Sequence, residues 1–120
     1  MKTILVVDDH VDIRRLFSIT LGKEFNILEA EDGDSALEAV RHHHPQLVFL
    51  DVMMPGKMNG LQVLDSIKGN PLTQDILVAM VTARGQAADS DDACQRGADA
   101  YFIKPFSPLQ VLAWTRSKLS

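Results

Sequence analysis

The sequence predicts an α/β fold, one five-stranded parallel sheet covered by helices on both faces. Three observations carry this. Apolar runs too short for free-standing helices recur five times in 120 residues, segments with helical apolar spacing separate them, and the runs end in polar residues suited to a sheet edge. Strict strand-helix alternation calls for right-handed crossovers and brings the carboxyl ends of all strands to one edge.

The first run, residues 3–8 (TILVVD), leads into a helix over 11–21, where Ile13, Leu16, Phe17, Thr20 and Leu21 keep helical spacing. Asp9 stands where an N-cap belongs, Asp12 puts negative charge in the first turn, and Gly22 supplies the stop. Residues 25–30 (FNILEA) read as the second strand, and Asp34 as the cap of a helix with Leu37 and Val40 inward that ends before Pro45. Residues 47–50 (LVFL), bounded by Pro45 and by Pro55-Gly56, form a third strand buried on both faces. Asp51 ends it. Leu61, Leu64 and Ile67 mark a helix stopped by Gly69-Asn70-Pro71, and 76–81 (ILVAMV) is a fourth strand ending at Thr82.

Residues 86–96 are helical by position, with a thin apolar stripe of Ala88, Ala93 and Cys94, and are expected to be the most mobile helix. After Gly97 comes a short strand, 99–103, and Ser107-Pro108 opens the last helix with an N-cap and a first-turn proline. Pro108, Val111, Leu112, Thr115 and Leu119 form its inward stripe, so Leu109, Ala113 and Trp114 are left as a candidate partner surface, with folding back over the helix an equal alternative for Trp114.

Length and composition set bounds on function. A chain of 120 residues matches one domain, residues 1–120, with no room for an effector domain, a long linker or a lid. Its 46% apolar and 23% charged content is that of a globular protein, and no stretch approaches the ~20 apolar residues of a membrane span. The run after Met1-Lys2-Thr3 is cut off by Asp8-Asp9 and is too short for a signal peptide. Cys94 is the only cysteine, which excludes an intrachain disulfide and points to a reducing, cytoplasmic setting; its simplest role is a small buried or half-buried apolar residue. A net charge of −4 without a Lys/Arg block argues against direct nucleic-acid binding.

The alternation gathers Asp8, Asp9, Asp51, Thr82 and Lys104 at one sheet edge. Carboxylates about 4 Å apart repel by roughly 4 kcal/mol per pair at an effective dielectric near 20, so the three acids need compensation. A hard divalent cation supplies it. Mg²⁺ takes oxygen ligands and is usually held by one or two carboxylates plus phosphate oxygens, which suits two acids beside a third that accepts phosphorus. Asp51 is then the nucleophile that becomes an aspartyl phosphate, Lys104 pairs a phosphoryl oxygen, Thr82 offers its hydroxyl to another, and Ala83 keeps the mouth open. Each residue alone has a plain structural role: Asp8-Asp9 as a helix cap and its neighbour, Thr82 as a β-branched strand end, Lys104 as a turn lysine. Their order along the chain gives the specificity.

Through VVDDH at 6–10, LDVMMPG at 50–56, VTA at 81–83 and GADAYFIKPF at 97–106, the whole chain resembles the receiver domains of two-component response regulators. The resemblance implies a flavodoxin-like fold of strand order 2-1-3-4-5 and phosphoryl transfer to Asp51 from a histidine kinase or phosphotransfer protein. It also implies Mg²⁺ bound by Asp8 or its water, Asp9, Asp51 and the main-chain carbonyl of Met53, and a cis peptide between Lys104 and Pro105. Such a domain catalyses its own phosphorylation and dephosphorylation and is not an enzyme with a substrate of its own. It switches through Thr82 and Tyr101, and its output passes to a downstream effector protein or to an output domain from which it was excised.

Two departures stand out. The loop 55–60 (PGKMNG) is one residue longer than the commonest family form, with Asn59 where Asp is frequent. Met53 and Arg84, two residues past Asp51 and Thr82, border the path of the hydrolytic water in the family and are expected to slow loss of the phosphoryl group. His42-His43-His44 reads as positive charge at a helix C-terminus and not as a metal site, since adjacent helical residues point apart.

The alternative is an aspartyl-phosphate phosphatase or phosphotransferase on a related sheet. It resembles haloacid-dehalogenase enzymes, which use a D-x-D motif after strand one and usually a cap domain, whereas here strand one ends Asp8-Asp9-His10. An unphosphorylated interaction domain would show losses among the five site positions, and none is lost. Nucleotide binding lacks a Gly-rich fingerprint after the first strand.

Overall fold

Five strands pair in parallel in the order β2-β1-β3-β4-β5: β1 (Thr3–Val7), β2 (Asn26–Ala30), β3 (Leu47–Asp51), β4 (Leu77–Ala83) and β5 (Ala100–Lys104). The computed structural model describes residues 1–54, 56–83 and 93–119. Among them, α1 (Val11–Leu21), α2 (Gly33–His43), α3 (Gly60–Lys68) and α4 (Pro108–Leu119) are the long helices. The helix expected over 86–96 lies mostly outside the described residues; its end, 93–95, is helical.

Side chains alternate across the sheet with period two, and both faces are covered, so the strands read as continuous apolar runs. On one face Ile4, Val6, Leu47, Phe49, Ala79 and Val81 meet Phe17 and Leu21 of α1 and Val111 and Leu119 of α4. On the other, Leu5, Val7, Val48, Leu50, Val78 and Met80 meet Ala36 and Val40 of α2, Val63, Leu64 and Ile67 of α3, and Ala93. The expected inward stripe of α4 holds: Val111, Thr115 and Leu119 are buried, and the Thr115 hydroxyl donates to Val111 O at 2.8 Å.

Four local readings change. The N-cap of α1 is His10 and not Asp9, because the Asp9 carboxylate turns toward the imidazole of His10 (3.2 Å). The cap of α2 is Asp32 and not Asp34: extended backbone at Asp32 lets its side chain accept from Ser35 N at 2.8 Å. Trp114 lies outside the heptad-like stripe yet folds back, edge-on to Phe49 and Phe102 with centroids 6.2 and 5.7 Å away. Cys94 is exposed, whereas Ala93 of the same stripe is buried; Ala88 lies outside the described residues. Strands β4 and β5 also run past their expected ends, since Thr82 pairs with Ile103 and Ala83 with Lys104.

The loop after β3 is seated at both ends. Asn59 opens α3 with a capping box, accepting from Gln62 N at 3.0 Å while Gln62 Oε1 accepts from Asn59 N at 2.8 Å. Met58 rests on the first residue of α2, so close that a Cβ on Gly33 would stand 2.7 Å from its own. Gly60, the first residue of α3, presses on the backbone of the strand end: a Cβ there would lie 2.0 Å from the Asp51 carbonyl oxygen. Gly60→Ala is therefore expected to lower stability by roughly 2 to 3 kcal/mol. An unchanged urea midpoint would show that α3 can slide away from Asp51.

Candidate functional site

Continuing the register Val7↔Leu50 by one residue sets Asp8 beside Asp51, while Asp51 itself pairs with Val81. The β4–β5 ladder then brings Lys104 beside Ala83 at the same edge. Sheet register alone thus assembles the group. Asp8 is 2% exposed and Asp51 4%, whereas Asp9 is exposed.

One ligand atom each from Asp8, Asp9, His10 and Asp51 lies within 4.8 Å of all the others. The Lys104 Nζ donates to Asp8 Oδ2 at 2.8 Å and stands 3.5 Å from Asp51 Oδ2. The ammonium that sequence reasoning reserves for a phosphoryl oxygen here balances the carboxylates themselves. Met53 N donates to Asp51 Oδ1 at 3.2 Å, which fixes the start of the following loop. Arg14 ties the site to its surroundings, with Nη1 donating to Asp8 O at 2.7 Å and Nε pairing Glu29 Oε1 at 2.9 Å.

Thr82 is buried at the sheet edge, 1% exposed. Its ladder partner is Ile103, two residues after Tyr101, so strand alternation puts Thr82 and Tyr101 on the same face of the sheet. Tyr101 is half-buried against the cluster that contains Met80. Ala83 does border an open recess with His10, Asp12, Ile13 and Lys104. Met53 is 61% exposed at the rim; Arg84 falls outside the described residues. The peptide between Lys104 and Pro105 is cis. Leu109 and Ala113 are exposed one turn apart on α4, while Trp114 is half-buried.

His10 is the residue that sequence reasoning passed over. Its Nδ1 lies 3.2 Å from both Asp8 Oδ1 and Asp9 Oδ1, and its backbone N–H donates to Asp8 Oδ1 at 2.9 Å. The signal was available in its place directly after the acid pair. His42 and His44 do other work: His44 caps α2 in the left-handed region (φ 43°) with Nε2 at 2.9 Å from Leu72 O, and His42 lies 3.8 Å from Glu38, while His43 adds a basic residue to the last turn of the helix.

The donor set fits a hard divalent cation. Three carboxylates and one ammonium leave two formal negative charges in the cleft, with oxygen donors predominating. The charge crowding is visible in Asp51, whose pKa is pushed from its ordinary 3.8 up to about 6, first by burial and next by Asp8, with a smaller push from Asp9. Lys104 and the Met53 N–H act in the opposite sense.

Between about pH 4 and 6 the folded protein holds a proton on Asp51 that the unfolded chain has released. Stability present below the unfolded value is therefore lost as pH rises through about 6. In cation-free buffer Asp51→Asn should be more stable than wild type at pH 7.5 by on the order of 2 to 3 kcal/mol, with the gap closing toward pH 4. Urea unfolding of both proteins at the two pH values measures this, and a gap independent of pH would contradict it.

Comparison with known proteins agrees with this geometry. The family model described as "Response regulator receiver domain" matches residues 4–116. The phosphate regulon transcriptional regulatory protein PhoB of Klebsiella pneumoniae is 42% identical over 113 residues, covering 93% of this chain and 49% of that protein. The probable transcriptional regulator ycf27 of Cyanophora paradoxa is 42% identical over 119 residues, covering 98% of this chain and 48% of that protein. The chain thus spans about half the length of the curated relatives it matches. Among solved structures, the receiver domain of NtrX from Brucella abortus superposes with a TM-score of 0.90 at 36% identity, covering 97% of each chain. A five-stranded parallel sheet of order 2-1-3-4-5 with an acidic cleft at its carboxyl edge, matched along nearly its full length by that family model, makes this chain a member of the response regulator receiver domains of two-component systems.

Proposed function

We propose that Asp51 accepts a phosphoryl group from a histidine kinase or phosphotransfer protein and that this charge switches a protein-interaction surface. The observation that carries the reading is a buried Asp51 carboxylate with Asp8 and Asp9 beside it and Lys104 at 3.5 Å. With a pKa of about 6, Asp51 is mostly ionised at neutral pH and able to attack. Its oxygen forms the new O–P bond as the N–P bond of a phosphohistidine breaks, and the donor imidazole keeps the electron pair.

Asp8, Asp9, Asp51 and the Met53 carbonyl would hold Mg²⁺, which would draw charge from the transferring group. Lys104 already sits within reach of Asp51 and would turn from the carboxylates to a phosphoryl oxygen. Thr82 would bring its hydroxyl to another oxygen. Because Thr82 and Tyr101 share a face of the sheet, movement of the first opens space for the second, and the surface of α4 with Leu109, Ala113 and the half-buried Trp114 would carry the change outward.

On this reading residues 1–120 form a single phosphoacceptor domain acting in the cytoplasm, without a substrate of its own. Phosphorylation and its reversal are catalysed by the domain. The output goes to a downstream effector protein or to an output domain in a longer chain, a division of labour that accords with regulators twice as long as the matched region. Nucleic acid would be reached only through that output. Among the described residues no helix is long and apolar enough to cross a membrane.

Incubation with acetyl phosphate and Mg²⁺ should add one phosphoryl group to the wild type and none to Asp51→Asn, read by intact mass. Equal labelling of both proteins would remove Asp51 from the role. Met53 stands exposed at the rim, two residues past the acceptor, where its long side chain would shield the phosphoryl group from water. Met53→Ala is expected to shorten the phosphorylated lifetime severalfold, and an unchanged decay rate would refute the shield.

A further inference from the structure

We propose that His10 is an additional ligand of the cation held in the acidic cleft, and that its imidazole tilts the site toward borderline divalent cations relative to Mg²⁺. The inference rests on the cleft being the cation-assisted phosphoacceptor site described above.

The argument begins with spacing. His10 Nδ1 is 3.2 Å from Asp8 Oδ1 and 3.2 Å from Asp9 Oδ1. Donors that each stand about 2.0–2.1 Å from one ion are separated by roughly 2.8–3.0 Å on the edges of an octahedron and roughly 3.3–3.4 Å on those of a tetrahedron. The two separations of 3.2 Å lie between these limits, so a shift of roughly 0.2 Å would let the imidazole nitrogen and the two carboxylate oxygens share an ion. His10 also belongs to the same group of four potential ligands as Asp51.

Position comes from the main chain. The His10 N–H donates to Asp8 Oδ1 at 2.9 Å, so the residue is tied to the carboxylate it would share an ion with. Its side chain is 68% exposed and does not cap α1. The ring is held between two acids by its polar contacts with their oxygens, not by packing or capping.

The chemical consequence concerns selectivity. Mg²⁺ favours oxygen donors and retains its waters, so an imidazole adds little to its binding. Co²⁺, Ni²⁺ and Zn²⁺ gain from a nitrogen donor. A cleft made only of carboxylates and carbonyl oxygen would lack that gain.

Co²⁺ and Mg²⁺ titrated separately into wild type and His10→Ala, by calorimetry and, for Co²⁺, visible absorption, test the assignment. His10 is exposed, so its removal leaves the core intact. Any Co²⁺ bound outside the cleft is common to both proteins and cancels in the comparison, and displacement by excess Mg²⁺ marks the shared site. Expected is a loss of about tenfold or more in Co²⁺ affinity with Mg²⁺ affinity nearly unchanged. Equal Co²⁺ affinities in the two proteins, or a parallel fall for both ions, would overturn the role of His10 and leave the phosphoacceptor reading standing. Absence of binding of either ion to wild type would overturn the cation site itself.

Discussion

Everything in this molecule turns on keeping like charges together at the dry end of a sheet. Asp8 and Asp51 are both buried, neighbours across a ladder whose other members are apolar. In such surroundings two carboxylates ionise together only with help. Lys104 gives part of it and bridges toward both, and the raised pKa of Asp51 records what is left over. A site in that condition accepts positive charge readily. It is also one in which a new anion forces its lysine to choose a partner.

The sheet does more than hold the acids. Its period-two alternation puts Thr82 and Tyr101 on the α2–α3 side, while Phe102, two residues before Lys104, belongs to the α1–α4 side. Thr82 and Lys104 thus reach the carboxyl edge from opposite faces of neighbouring strands. Stability is drawn into the same place, since Gly60 brings α3 against the carbonyl of Asp51. A change in the backbone at Asp51 must be felt by α3, and through its Val63 and Leu64 by the core on that side.

Much of this was legible in the residues. Runs such as LVFL at 47–50 read as strands covered on both faces, and once five of them alternate with helices, the meeting of Asp8, Asp51 and Lys104 follows from parallel geometry. What stayed hidden was local competition. Asp9 and Asp34 are good caps by residue type, but Asp9 is engaged by His10, and Asp32 has the extended backbone a cap needs. Trp114 lies off its helix's inward stripe, yet a ring that large reaches Phe49 and Phe102 from there. His10 escaped notice because its contribution depends on where a ring nitrogen lies, and residue order does not encode that.

The seating of Met58 on Gly33 has a bearing on how such a loop can vary. The segment following Asp51 is pinned near its start by the Met53 amide and at its end by the Asn59 capping box, with Met58 as a knob between. An inserted residue between these anchors leaves the Asp51 carboxylate where the strand put it. Length at this position becomes a tolerant character, open to drift, while the anchors and the acid behind them stay under geometric constraint.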